Sequence, residues 1–470
     1  MSTSAVIKKR QIVGIIAAVF LLAAIFFIPA TELLPPAARN MLCVMLAVIV
    51  MLVTEVFPLG ITCLLGIAMM YFFRCVDSVP AGLTGFTNAT LFFVLASFGI
   101  SKALTVVPVS KRLLLFLMRK FGKNINRLLF AIMLVTALLS SVISNVAAAA
   151  VFIPIITQFL TVYENEEDRK KTARAYMIAL PVASMIGGMM TPAGSSINML
   201  AISMLEKYAG MTIPFVKWMI MGIPLTVVLL PVAWFLCVKV FKPAPLSGEK
   251  INSYIDKVMT EIPGKMTGKE KYVLVILFAM LVLWITSSWV PVLNITAVAL
   301  VGLMLYFLPG KMQVLTWKDF TSSVSLEAFL LMGTMISMGS VISSSGLSGW
   351  ISAVIFPASL NTATPLFLMF VAVITFVLLI PIPVAPALIT MLASPLILLA
   401  QGSGISPALT MAVFGLCACN CYLLPLDTVP LMTYATGAYD MFDMPKATAA
   451  VQVVMIVLSS LWLSVCGRLL

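Results

Sequence analysis

This chain predicts an all-α polytopic membrane protein of inverted repeats, with about 11 transmembrane helices and two re-entrant hairpins. Three observations carry that prediction. First, 62% of the 470 residues are hydrophobic, 10% are charged and the mean hydropathy is +1.13. No soluble fold hides that much apolar surface. Second, Lys and Arg gather between apolar spans, as the positive-inside rule expects. Third, two apolar stretches are interrupted by polar groups that hydrocarbon cannot satisfy. One is Ser144-Asn145, inside 138–150, and the other runs from Gly187-Gly188 through Thr191-Pro192-Ala193-Gly194-Ser195-Ser196 to Asn198.

Composition also excludes. The net charge of +12 invites a nucleic-acid partner, but its division among inter-span clusters points to the bilayer instead. The chain has no His, which removes imidazole relays, haem ligation and His-metal sites. Its eight Cys are scattered through apolar segments. Cys417, Cys419 and Cys421 alternate, in neither zinc nor redox spacing. No acidic pair lies within a span, so an embedded enzyme lacks its catalytic groups. A channel would need a repeated filter or charged rings, and neither is present.

The elements follow in order. Lys8-Lys9-Arg10 precede a first span at 11–30, read as a span rather than a cleaved leader, and hold the N-terminus on the cytoplasmic side. Spans follow near 37–54, 56–73 and 88–108. The basic, amphipathic stretch from Lys111 to Lys123 lies along the cytoplasmic interface. Segment 127–161 has basic flanks at both ends. A single crossing would put them on opposite faces, whereas a re-entrant hairpin keeps both inside and makes Ser144-Asn145 its tip. A broken helix, 174–206, and a span, 214–241, complete a first repeat over 1–241.

Residues 242–271, rich in Lys, read as a cytoplasmic linker. The second repeat, 272–470, has spans near 272–290, 292–309 and 325–345, then a short segment at 347–357. A hairpin at 363–400 is centred on Pro381-Ile382-Pro383-Val384-Ala385-Pro386. A broken helix at 405–437 carries Leu424-Pro425-Leu426-Asp427-Thr428-Val429-Pro430, and a last span lies near 446–467. The C-terminus then lies outside. Two polar interruptions at membrane depth suggest a hairpin tip facing an unwound helix across a small polar cavity, as in secondary transporters.

These residues resemble the divalent anion:sodium symporter family, carriers of dicarboxylates, citrate and sulfate, along essentially the whole chain. The marks are Thr54-Glu55-Val56-Phe57-Pro58-Leu59-Gly60, Ser144-Asn145 with Pro154 downstream, and the stretch from Gly188 to Asn198. The family's hairpin signature is Ser-Asn-Thr and its broken-helix signature Gly-Thr-Pro-Pro-Asn. The resemblance implies a cell-membrane homodimer with a scaffold domain and an elevator-like transport domain. It implies a small divalent anion as substrate, a four-carbon dicarboxylate first among them, with Na+ as coupling ion and no other cofactor. Ser140, Ser144, Asn145 and the backbone near Ala193 would ligate the first Na+. Ser144, Asn145, Val146, Ser195, Ser196, Pro386, Ala387, Thr428 and Val429 would line the substrate.

Departures concentrate in the second half. Val146 stands for the first Thr, and Ser195-Ser196-Ile197 for Thr-Pro-Pro. Pro386 falls where the second Asn belongs, flanked by Ala385 and Ala387, and Leu431 replaces the last Asn. Asp427 appears in their place, as a sodium ligand, a proton carrier or an internal countercharge. An intramembrane carboxylate is a functional candidate by default. Plainer readings stand beside these: Ser144-Asn145 as interhelical hydrogen-bonding groups and Asp427 as a solvated interfacial acid. Sodium-independent exchange and proton coupling are the alternatives to symport.

Overall fold

The computed structural model describes residues 9–121, 124–260, 264–290, 292–357 and 359–467. Lys8, before the first span, and Lys123, at the end of the amphipathic stretch, lie outside the described residues. Twenty-two α-helices and no strand occur among those residues. The first half runs α1 (Lys9–Ala23), α2 (Pro36–Thr54), α3 (Leu59–Phe72), α4 (Val79–Gly82), α5 (Ala89–Val106), α6 (Val109–Phe121), α7 (Ile125–Ser140), α8 (Asn145–Leu160), α9 (Glu166–Gly188), α10 (Ser196–Ala209) and α11 (Phe215–Phe241). A connecting helix, α12 (Gly248–Thr260), leads to α13 (Gly268–Thr286), α14 (Ile295–Leu305), α15 (Trp317–Ser323), α16 (Leu326–Ser344), α17 (Leu347–Ile355), α18 (Thr364–Leu379), α19 (Ala385–Gly402), α20 (Pro407–Ala418), α21 (Thr428–Tyr434) and α22 (Asp443–Cys466).

Seven helical segments are long and apolar enough to cross a membrane: α1 with its adjoining turn, α2, α5, α11, α16, α19 and α22. Their outward faces carry bare apolar side chains, such as Phe20, Val227 and Val453. Water would not tolerate such a belt, and lipid does. The chain is a multi-pass membrane protein.

Local chemistry sets the helix ends. Asn165 caps α9 by accepting from Glu167 N–H, and Glu166, Glu167 and Asp168 fill a first turn where negative charge meets the helix dipole. Thr267 and Glu270 form a reciprocal capping box at α13. Gly210, at φ +64°, ends α10 in the left-handed conformation that glycine adopts without strain.

The same order occurs in both halves: two helices joined by a short turn, then a helix that breaks and resumes. In the first half α7 and α8 meet at 141–144, and α9 passes through a 3₁₀ turn at Pro192–Gly194 into α10. In the second, α18 and α19 meet at 380–384, and α20 passes through 419–427 into α21. The halves interleave. Helix α21 packs against α8 and α9, while α10 packs against α19 and α20.

The polar connection between the halves holds more structure than a linker. Ile251, Tyr254 and Ile255 put one buried face on α12, with Asn252, Asp256 and Lys257 outward. Tyr254 donates to the Ile155 carbonyl at 3.0 Å and meets Phe159 edge-on at 5.3 Å. Helix α12 is thereby docked beneath α8.

Candidate functional site

The first-half turn and the first-half break are stitched together by short polar side chains. The Ser140 hydroxyl donates to Asn145 Oδ1 at 2.7 Å and lies 3.2 Å from Ser184 Oγ. Ser184 in turn donates to the Asn145 carbonyl at 2.7 Å. Across the turn, Thr191 Oγ1 donates to the Ser141 carbonyl at 2.5 Å and accepts from Gly194 N–H at 3.0 Å. Asn198 Nδ2 spans the break, donating to the Gly188 and Thr191 carbonyls, each at 2.9 Å. The chain can therefore unwind at membrane depth with its freed backbone groups satisfied internally.

Glycine makes this closeness possible. A methyl group on Gly188 would fall 2.0 Å from Asn145 Oδ1. One on Gly194 would fall 2.4 Å from the Gly188 carbonyl oxygen and 2.9 Å from that of Ser140. Three oxygens, Asn145 Oδ1 and the Ser140 and Gly188 carbonyls, thus line the space beside two glycines. Neutral oxygens at close quarters suit a hard monovalent cation. No group of three or more His, Cys, Asp or Glu side chains suited to a softer metal occurs among the described residues.

The other expected residues fall around this cluster. Ser144 is half-buried in the turn, and its N–H donates to Ser101 Oγ on α5 at 3.4 Å. Val146 is half-buried in the first turn of α8. Ala193 is buried in the 3₁₀ turn, Ser195 caps α10 by accepting from Ile197 N–H at 3.3 Å, and Ser196 opens that helix half-buried.

The second half is built differently. Asp427 caps α21, accepting from Val429 N–H at 3.2 Å, and makes no ion pair among the described residues. Thr428 beside it is exposed and Val429 is buried. Pro386 is half-buried at the start of α19. Ala387 lines a small apolar cavity with Thr390, Met391, Met45 of α2 and Met335 and Met338 of α16. Among the described residues no hydrogen bond joins the 380–391 turn region to the 419–430 break, unlike the first half.

Some residues of the cluster go beyond the expected set. Thr191 and Asn198 stand inside the broken-helix motif, so they were legible there. Ser101 and Ser184 are single small polar residues in apolar helices, and nothing local distinguishes them. Outside the cluster, the buried Asn420 at the second break, whose Nδ2 donates to the Leu416 carbonyl at 2.7 Å, could be found as an amide directly before a helix break in an apolar run.

This arrangement defines a class: a polytopic helical membrane protein with two helix–turn–helix pairs and two broken helices, the first turn and the first break joined in a compact polar centre. A family model for the sodium:sulfate symporter transmembrane region matches residues 9–470. The chain belongs to that family, and is a secondary transporter of divalent anions rather than an enzyme. It is 26% identical over 447 residues to the sodium-dependent dicarboxylate transporter SdcS of Staphylococcus aureus strain USA300, covering 89% of this chain and 84% of that one. SdcS of strain NCTC 8325 matches to the same extent. Two solved structures share the fold. MtrF of Neisseria gonorrhoeae, titled as illuminating a class of antimetabolite efflux pumps, superimposes with a TM-score of 0.56 at 11% identity over 98% of this chain and 95% of its own. The YdaH transporter of Alcanivorax borkumensis gives 0.51 at 13% identity over 97% and 98%.

Proposed function

We propose that this protein carries a four-carbon dicarboxylate, succinate or malate, into the cell by sodium symport. The observation that carries the reading is the oxygen-only cluster of Ser140, Asn145 and Gly188. Na+ sits there on Ser140, Ser144, Asn145 and the backbone near Ala193. The likeness to a sodium-dependent dicarboxylate transporter supports both ion and substrate.

The substrate occupies the space bounded by Ser144, Asn145, Val146, Ser195, Ser196, Pro386, Ala387, Thr428 and Val429. Helices α8 and α10 begin beside it, and their first-turn N–H groups and positive dipole ends attract a carboxylate without an Arg. The adjacent Na+ adds a full charge. Each ligand then favours the other, because linkage is reciprocal. Alternating access is of elevator type in a homodimer, as the family resemblance implies, and the placing of the basic clusters sets the N-terminus cytoplasmic and the C-terminus outside. Two inverted repeats, 1–241 and 272–470, form its scaffold and transport parts.

A second reading rests on Asp427. The second turn has lost the family's Ser, Asn and Thr, and the second break carries a carboxylate that makes no ion pair among the described residues. It serves as a replacement Na+ ligand or as a proton carrier, and the latter makes transport proton-coupled. Sodium-independent exchange is the third outcome. Labelled succinate uptake into proteoliposomes separates them. Accumulation in empty vesicles driven by inward Na+ supports symport. Uptake confined to succinate- or malate-preloaded vesicles and indifferent to Na+ means exchange. Uptake that follows an inward proton gradient alone means proton coupling, and its loss in Asp427→Ala supports Asp427 as the carrier.

A further inference from the structure

The two broken helices cross at their breaks, and two buried amides flank the crossing. Asn420 Nδ2 lies 3.5 Å from Met189 Sδ, and Cys419 Sγ lies 3.9 Å from the Met185 carbonyl. Further out, a methyl on Gly415 would fall 2.8 Å from Ala201 Cβ. Residue 420 therefore stands at the first break and residue 415 beside α10, so α20 descends antiparallel to α10 into the break. Asn198, one turn before Ala201, flanks the same segment through its bond to the Gly188 carbonyl.

Both amides are fully buried, and neither Oδ1 has a hydrogen-bond partner among the described residues. Their orientations are fixed by their nitrogens. Asn198 Nδ2 serves two carbonyls, and a flip would set its oxygen against both. Asn420 Nδ2 donates to the Leu416 carbonyl at 2.7 Å. Two acceptors thus stand without a donor at membrane depth, where an unsatisfied amide oxygen is costly. At the far end of the same break Asp427 holds a carboxylate with no basic partner, so the local potential favours positive charge.

We propose that the crossing binds a monovalent cation of sodium size through Asn198 Oδ1 and Asn420 Oδ1, additional to the cation at Ser140 and Asn145. The Asp427 field offsets its charge. A cation held by one residue from each broken helix ties the two halves together only when both are in register. It therefore adds one coupled ion per turnover. This rests on the sodium-symport reading.

The test is the flux ratio of ²²Na+ to labelled succinate in proteoliposomes, with the Hill coefficient for Na+ beside it. Asn420→Leu removes one oxygen at similar volume. The ratio is expected to fall by one Na+ per succinate, with the Hill coefficient falling in step, while Asn420→Asp restores both. An unchanged ratio in Asn420→Leu overturns the crossing site and leaves the two amides to a bridging water. A wild type with no sodium-dependent uptake removes the symport reading, and the crossing site with it. If Asn420→Leu does not reach the membrane folded, Asn420→Asp decides alone. A lower Na+ concentration for half-maximal uptake supports the site, and an unchanged one overturns it.

Discussion

Replacing Gly188 by Ala tests whether Asn145 is a sodium ligand. The added methyl would meet Asn145 Oδ1 at 2.0 Å, Cγ at 2.8 Å and Nδ2 at 2.9 Å. Packed Cβ atoms essentially never come within 3.0 Å of another atom, so the amide must retreat by about 1 Å or turn away. It has little room to do so. Asn145 opens α8, its carbonyl accepts from Ser184 and its Oδ1 accepts from Ser140. Overpacking costs about 1–3 kcal/mol and the lost Ser140 bond about 1 kcal/mol. If the displaced amide is a ligand, roughly 2–4 kcal/mol falls on sodium binding, or roughly 30- to 1,000-fold in affinity. The assay is the Na+ concentration for half-maximal succinate uptake, together with thermal protection of the purified protein by NaCl against choline chloride. Two controls bracket it. Gly349→Ala adds its methyl to open space and should change neither readout. Gly187→Ala presses on the Ala137 backbone at 2.3 Å and should lower thermal stability without a selective loss of sodium protection. A folded Gly188→Ala protein whose sodium dependence stays within about threefold of the parent (about 0.7 kcal/mol) would refute Asn145 as a ligand.

Four further outcomes are expected. Thr191→Val keeps the shape but leaves the Ser141 carbonyl without its partner and Gly194 N–H with the Thr191 carbonyl alone. It should cost about 1–3 kcal/mol and lower the melting temperature in detergent by several degrees. Glu270 is fully buried against Arg112 at 2.8 Å, so Glu270→Leu alone should destabilise by about 3–5 kcal/mol, while Arg112→Met with Glu270→Leu recovers most of that loss on the same melting curve. The hydrogen bond and charge of Lys250 hold the exposed Glu164 carboxyl below its usual range. A depressed acid contributes its tie above the unfolded carboxylate value and loses it as pH falls through the folded one. Limited proteolysis should therefore find α12 more readily cut below about pH 4, and Lys250→Gln should abolish that step in the pH profile. Asp427→Ala should alter the ion dependence of uptake. An unchanged response to both Na+ and pH gradients would remove Asp427 from the coupling mechanism.

Much of the fold was legible because the bilayer imposes simple rules. Apolar run length gives the helices, and the basic flanks of 127–161 led to the expectation of two helices joined by a turn at Ser144. The structure has a helix–turn–helix over 125–160 with Ser144 in the turn. Ser144-Asn145 and the Gly-Thr-Pro stretch were visible because hydrocarbon punishes unexplained polarity. What periodicity cannot carry is the partner of a side chain far along the chain. Arg112 with Glu270, Ser101 with Ser144 and Asn420 with Met189 are packing outcomes, and none has a local sign. Helix α12 was concealed for another reason. Its lysines raise the polarity of 242–271, while only Ile251, Tyr254 and Ile255 form the buried stripe. Three residues are too few to outweigh the surrounding charge. In the second turn the prolines marked the bend, but Ala387 offers no polarity from which to foresee that it lines a cavity with Met45 and Met335.

The unequal construction of the two halves bears on coupling. In the first, hydroxyls and amides lock turn to break, so a cation bound there as proposed would meet preorganised oxygens and reorganise them little. In the second, the break is tied to its own turn by no hydrogen bond among the described residues and carries an unpaired carboxylate. Such a half is completed by contact with the other. Helix α21 reaches across to α8 and α9, and α10 reaches across to α19 and α20. Under the proposed symport, occupying the first half would therefore change the field and the packing that the second half experiences. That is the physical content of linkage: each ligand is bound by a surface the other has helped to order.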